Sequence, residues 1–310
     1  MRLVGGLREL LRPPPHRGPL IAAGAVTLGA GLALAQLRLG GAAPVFLLAA
    51  GALSFWLGAQ APNEDGMPPA YQSVLLVTGA ALLYGGLLAA AHVLGADFGT
   101  FPAGALTWTS LLVGLLLLWP AFERNSAISL LIAAILGGVA LLCAWRWLLG
   151  ADPSAPYRWL LALYAAALVL CGLALREPAR RHAEVLIDAA GLAIAGIALS
   201  ALLGTGLPGA WEIVVLGAGF GLIAFGALDR SPGPAYLGVV NLAAFIAIEG
   251  AGDSLYWWPL ILIAGGAAML AAGLRPRRPL PPEPKPYRAG EAPLAARAGD
   301  ERSPTTRNGR

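Results

Sequence analysis

The stretch from Gly238 to Arg278 constrains this fold more than any other. It holds two apolar runs separated by an acidic, aromatic turn. Each run is long enough to cross the ~30 Å hydrocarbon core of a bilayer at about 1.5 Å rise per residue. The turn carries Glu249, Asp253, Tyr256, Trp257 and Trp258, and the second run stops at Arg275, Arg277 and Arg278. Aromatic residues at one boundary and arginines at the other hold a helical hairpin across a membrane.

The pattern recurs back to residue 19. Read by length and flanks, the chain has ten spans: 19–37, 42–59, 71–94, 105–122, 127–149, 157–175, 185–203, 213–228, 235–251 and 258–274. The separators carry proline, glycine and charge, which are turn and breaker signals. Only 12% of residues are charged and the mean hydropathy is +0.69. A soluble domain carries about 25% charge. The expected fold class is therefore all-α, a polytopic integral membrane protein of about ten transmembrane helices. A basic segment, 1–18, precedes the membrane region 19–274, and a disordered basic tail, 275–310, follows it. Ala33-Leu34-Ala35 mimics a cleavage site, but further spans follow at once, so the first span is expected to stay uncleaved.

The basic residues set an orientation. With the N-terminal segment in the cytoplasm and ten alternating spans, 18 of the 21 Lys and Arg face inside. Only Arg38, Arg146 and Arg158 face outside. The positive-inside rule then places the chain in the plasma (inner) membrane with both ends cytoplasmic. The tail holds eight prolines and almost no large apolar residue, so it cannot bury enough surface to fold. The expected partners are the lipid bilayer and, through the tail, anionic headgroups. Nucleic acid is not expected, and a homo-oligomer is compatible with the pattern.

A polar group in hydrocarbon costs several kcal/mol if unpaired, so each is a functional candidate. Asn241 lies well inside the ninth span, and Glu249 follows just over two turns later near its outer end. Asp188 sits one turn inside the seventh span, after Arg180, Arg181, His182 and Glu184. Pairing with one of those arginines is its expected role. His92 lies toward the outer end of the third span. Together these four form the candidate intramembrane polar site.

Other signals are structural. The string Gly217-Ala218-Gly219-Phe220-Gly221 resembles a dinucleotide fingerprint but lies within a span, not after a strand. Gly217 and Gly221 form a GxxxG pair expected to let another helix approach, with Gly191 and Gly196 similar in the seventh span. Cys143 and Cys171 both fall in apolar runs without metal spacing. No catalytic constellation is present, so no enzyme activity, cofactor or metal is expected. Asn125 or Ser126 is expected to start the fifth span.

In layout alone the chain is similar to ten-span drug/metabolite-type exporters, and no motif carries a residue over from them. Ten spans also invite a five-plus-five duplication. Gly137-Gly138 in the fifth span and Gly265-Gly266 in the tenth are its only local support. The leading functional expectation is a non-catalytic structural or accessory envelope component. A secondary transporter of a small solute is the alternative.

Overall fold

The computed structural model describes residues 17–62, 68–96, 102–150, 154–200, 207, 209–249 and 258–273. Most of the basic N-terminal segment and all of the Pro/Arg-rich tail lie outside the described residues. Ten α-helices appear, one for each expected span: α1 Gly18–Leu39, α2 Ala43–Gln60, α3 Ala70–Val93, α4 Ala103–Glu123 and α5 Ala127–Leu149. They continue as α6 Ser154–Ala174, α7 Arg180–Ser200, α8 Gly209–Asp229, α9 Pro232–Glu249 and α10 Trp258–Gly273. No strand occurs among the described residues. By length and composition α1 to α8 can each cross a membrane, and the apolar part of α9 is shorter. The chain divides into two compact units, Met1–Leu255 and Tyr256–Arg310. Among described residues the second contains α10 alone, a 16-residue apolar helix with Pro259 in its first turn.

The surface identifies the solvent. On α4, Trp108, Leu111, Leu112, Leu115, Leu116, Trp119 and Phe122 are all exposed. They form a continuous large apolar face with no charge along it. The buried face of the same helix carries Thr107, Ser110, Gly114 and Ala121. Val113 and Leu117 are buried beside them, so the helix is apolar on both faces. An outer face of large apolar side chains suits hydrocarbon and would aggregate in water. The chain is a multi-pass helical membrane protein.

Consecutive helices pair as hairpins: α2 with α3, α4 with α5, α6 with α7, and α8 with α9. Each hairpin then docks on the next through its odd-numbered member, α3 on α4 and α5, α5 mainly on α7 and α7 mainly on α9, while α1 packs on α2 and α3. In this ribbon the packing of α2–α3 and α7–α8 does not match under a five-plus-five division. Shifting the tight α2–α3 pair by five helices would give α7–α8, yet α7 packs much more closely on α6. The Gly137-Gly138 pair has a local use instead, as a seat for Tyr164 of α6. A Cβ on Gly137 would lie 2.7 Å from the Tyr164 hydroxyl. That hydroxyl donates to the Ala134 carbonyl at 2.5 Å.

Close approach at glycine sets the hairpins. In α3, a Cβ on Gly79 would lie 2.7 Å from the Phe55 backbone nitrogen of α2. In α9, one on Gly238 would lie 2.6 Å from the Gly219 carbonyl oxygen of α8. The expected GxxxG pair is a correction: Gly217 and Gly221 face open space, and Gly219, between them, makes the contact. Gly191 does pack, with Leu222 3.1 Å from the position of its absent Cβ, whereas Gly196 makes only ordinary contact.

The turns follow the breaker signals. Asn125 adopts φ +52 between α4 and α5, and Ser126 is the N-cap residue of α5. Its hydroxyl meets Ser129 Oγ at 2.9 Å rather than a backbone amide. Arg230, φ +57, closes α8, and Pro232 opens α9, where its missing N–H costs nothing. Cys143 and Cys171 are both free thiols.

A branched side chain at Gly79 must push α2 and α3 apart. We expect Gly79→Val to lower the detergent-solubilised melting temperature, with a loss in the 1–3 kcal/mol range typical of overpacking. Gly85→Val, which meets nothing within 4 Å, is the matched control and should shift it far less.

Candidate functional site

Helix α7 is the hub of the second half of the membrane region. It packs on α5, α6, α8 and α9. His182 also ties it to α4, by donating from Nε2 to the Ala121 carbonyl at 2.9 Å. That carbonyl lies in the last turn of α4, where no intrahelical partner is available. The imidazole stacks on Phe122, with ring centroids 5.7 Å apart and planes 10° from parallel. By sequence alone His182 is one more polar residue at the start of a span. Only the partner helix reveals its role.

A charged joint closes the same end of the helices. Arg176, in the α6–α7 turn, pairs with the Asp229 carboxylate at the end of α8. Arg180 donates to the Asp229 backbone carbonyl and, 3.2 Å away, to Glu184 one turn along α7. Two guanidinium groups thus meet the carbonyl-rich, negative end of α8, which favours cations there. Asp229 is only 8% exposed, so its charge needs this partner.

The expected arginine pairing of Asp188 therefore takes a different form. Arg176 and Arg180 serve Asp229 and Glu184, and Asp188 turns toward the first turn of α9. Its Oδ2 would lie 2.5 Å from a Cβ on Gly233. Only glycine leaves room there, and the N-terminal end of α9 presents a positive dipole to the carboxylate. Asp188 Oδ1 is buried without a hydrogen-bond partner, as is Arg181 Nη1 two turns earlier on α7.

Asn241 sits on the other side of this interface and is fully buried. Its Nδ2 donates to the Gly191 carbonyl of α7 at 3.2 Å and to the Leu237 carbonyl of its own helix at 3.0 Å. Its Oδ1 has no partner. The structure thus brings two of the four candidate residues, Asp188 and Asn241, to one α7–α9 face. His92 belongs to α3, a helix of the first half. It is exposed on the last turn, and its Nδ1 lies 3.4 Å from the Ala96 carbonyl. Glu249 is the last residue of α9, and its side chain lies outside the described residues.

Beside this face, α6, α7 and α8 enclose a groove of about 450 Å³. Val169, Leu173, Ile187, Ile194, Val214 and Phe225 are among its lining residues, and every lining residue is apolar. It opens because the even-numbered helices α6 and α8 both lie against α7 but pack little on one another. At the opposite end from the charged joint, aromatic pairs mark the boundary. Trp108 meets Trp147 edge-on at 6.2 Å, and Trp159 meets Trp211 at 4.9 Å. One end arginine-rich and the other tryptophan-rich is the asymmetry expected from the sequence.

No family model matches this chain, and no curated protein or solved structure matches it either.

Removing the Asn241 amide should loosen the α7–α9 contact modestly. An interhelical hydrogen bond within a membrane averages about 0.6 kcal/mol. We expect Asn241→Leu to change unfolding free energy by no more than about 1 kcal/mol. Asp229→Ala strips Arg176 of its carboxylate partner but keeps the backbone carbonyl that Arg180 uses. Arg176 is half exposed, so this change should cost more than Asn241→Leu but less than breaking a fully buried ion pair. Denaturation in mixed micelles with both variants checks the order.

Proposed function

We propose that the protein is a non-catalytic structural or accessory component of the cell envelope. In this reading it sits in the plasma membrane with its charged ends on the cytoplasmic side. One observation carries the reading. Four intramembrane polar side chains serve helix-to-helix contacts, while the groove between α6, α7 and α8 presents no polar side chain. Tyr164, Ser54, His182 and Asn241 each donate to a carbonyl of another helix. A hydrophilic solute needs donors and acceptors that replace its water, and a carbon-lined groove supplies none. The arginines of the α6–α7 and α8–α9 turns support the orientation, because they share one end of the bundle.

A second reading, a secondary transporter of a small solute, rests on two of the buried acceptor oxygens without partners, Asp188 Oδ1 and Asn241 Oδ1, which share the α7–α9 face. Such oxygens suit a proton or a small cation. Reconstitution into proteoliposomes separates the two readings. For the accessory role we expect no uptake of labelled amino acids, sugars or monovalent cations above protein-free vesicles, with or without a pH gradient. Uptake that Asp188→Asn abolishes would establish transport instead. For orientation, reporter fusions after Pro178 and after Arg230 should both report the cytoplasm, and one after Gly150 the opposite side. A uniform result at all three positions would reject the proposed threading.

A further inference from the structure

The groove between α6, α7 and α8 has the dimensions of a single hydrocarbon chain. On α6 its lining runs from Leu173 to Ala162, and on α8 from Phe225 to Val214. Each stretch rises about 16 Å at 1.5 Å per residue. Half of a ~30 Å hydrocarbon core is about 15 Å, the depth of one leaflet. Spreading about 450 Å³ over that length leaves a width near 6 Å. An α-helix with side chains is about 10–12 Å across, so neither a helix of this chain nor one from a second copy fits. Water has no polar partner in the lining.

One mouth of the groove is charged. Phe225 lines the groove at its arginine-bearing end, and the Arg176 guanidinium carbon lies 6.0 Å from the centre of its ring. The Arg176 side chain is 53% exposed although it is held by Asp229. A guanidinium has five N–H donors, and the carboxylate fixes its position without using them all. At this end Arg176, Arg180, Arg181 and Arg230 stand against Glu177, Glu184 and Asp229, leaving an excess of one positive charge. Asp188, deeper in the membrane, faces α9.

We propose that this groove binds an anionic phospholipid, with one acyl chain along α7 and the phosphate on Arg176. The chain fills apolar space that α6 and α8 leave open, and the headgroup sits where phosphates of that leaflet lie. The site concerns this groove alone and stands whether the protein is an accessory component or a transporter.

The test uses the full chain in lipid nanodiscs containing equal phosphatidylglycerol and phosphatidylcholine with identical acyl chains. Native mass spectrometry after release counts the lipid that remains bound. We expect phosphatidylglycerol to be retained about fivefold over phosphatidylcholine, the effect of one arginine near the surface. Gly221→Leu projects a side chain into the groove from a position with nothing within 4 Å. It should remove retention of both lipids while favouring the helix. Gly217→Leu, exposed on the same helix but outside the lining, should leave retention unchanged. Arg176→Gln should abolish the preference and keep the phosphatidylcholine level. Three results would overturn the proposal: equal retention of the two lipids by the unaltered chain, retention unaffected by Gly221→Leu, or a dimer that Gly221→Leu dissociates.

Discussion

Lipid gives these helices no reason to associate. Their large apolar side chains are as well solvated by acyl chains as by one another, so the hydrophobic effect ends at insertion. What remains is close van der Waals contact and hydrogen bonding, and the fold is built from those two. Gly79 on Phe55 and Gly238 on Gly219 bring backbones together where any side chain would separate them. Tyr164, Ser54 and His182 then donate across helix boundaries to carbonyls of neighbouring helices. Large residues such as Leu75, Leu117 and Phe245 fill the space between helices, and many others face outward because lipid solvates them equally well.

The same constraint explains the ribbon. Each tight hairpin uses small residues on its own partner and offers its odd-numbered helix to the next hairpin. Around α7, the even-numbered α6 and α8 thus remain flanking elements. Between α6 and α8 this leaves a gap lined by carbon, whose width fits an acyl chain rather than a helix. The gap needs no dedicated motif. It follows from two helices sharing α7 without packing closely on each other.

Charge obeys a separate rule. The arginines of the α6–α7 turn reach the end of α8, satisfying both the Asp229 carboxylate and its otherwise orphaned carbonyl. This joint fixes the end of the second-half helices at the membrane boundary. It also leaves Asp188 to the positive end of α9, an arrangement possible only because position 233 is glycine.

The sequence by itself determined the number of helices, their approximate limits and the asymmetry of their ends. Length, proline, glycine and charge are local signals, and a bilayer imposes one thickness on every span. Asn241 was likewise legible as a group that must find another helix, because an amide in hydrocarbon needs a partner. Only the tertiary structure decided which face of each helix meets which neighbour. It chose Gly219 over the Gly217–Gly221 pair, gave Arg176 to Asp229, and placed His182 on Ala121. The physical reason is that helices apolar all round carry no stripe to mark their inner face. Partners far apart in the chain are then selected by fit alone.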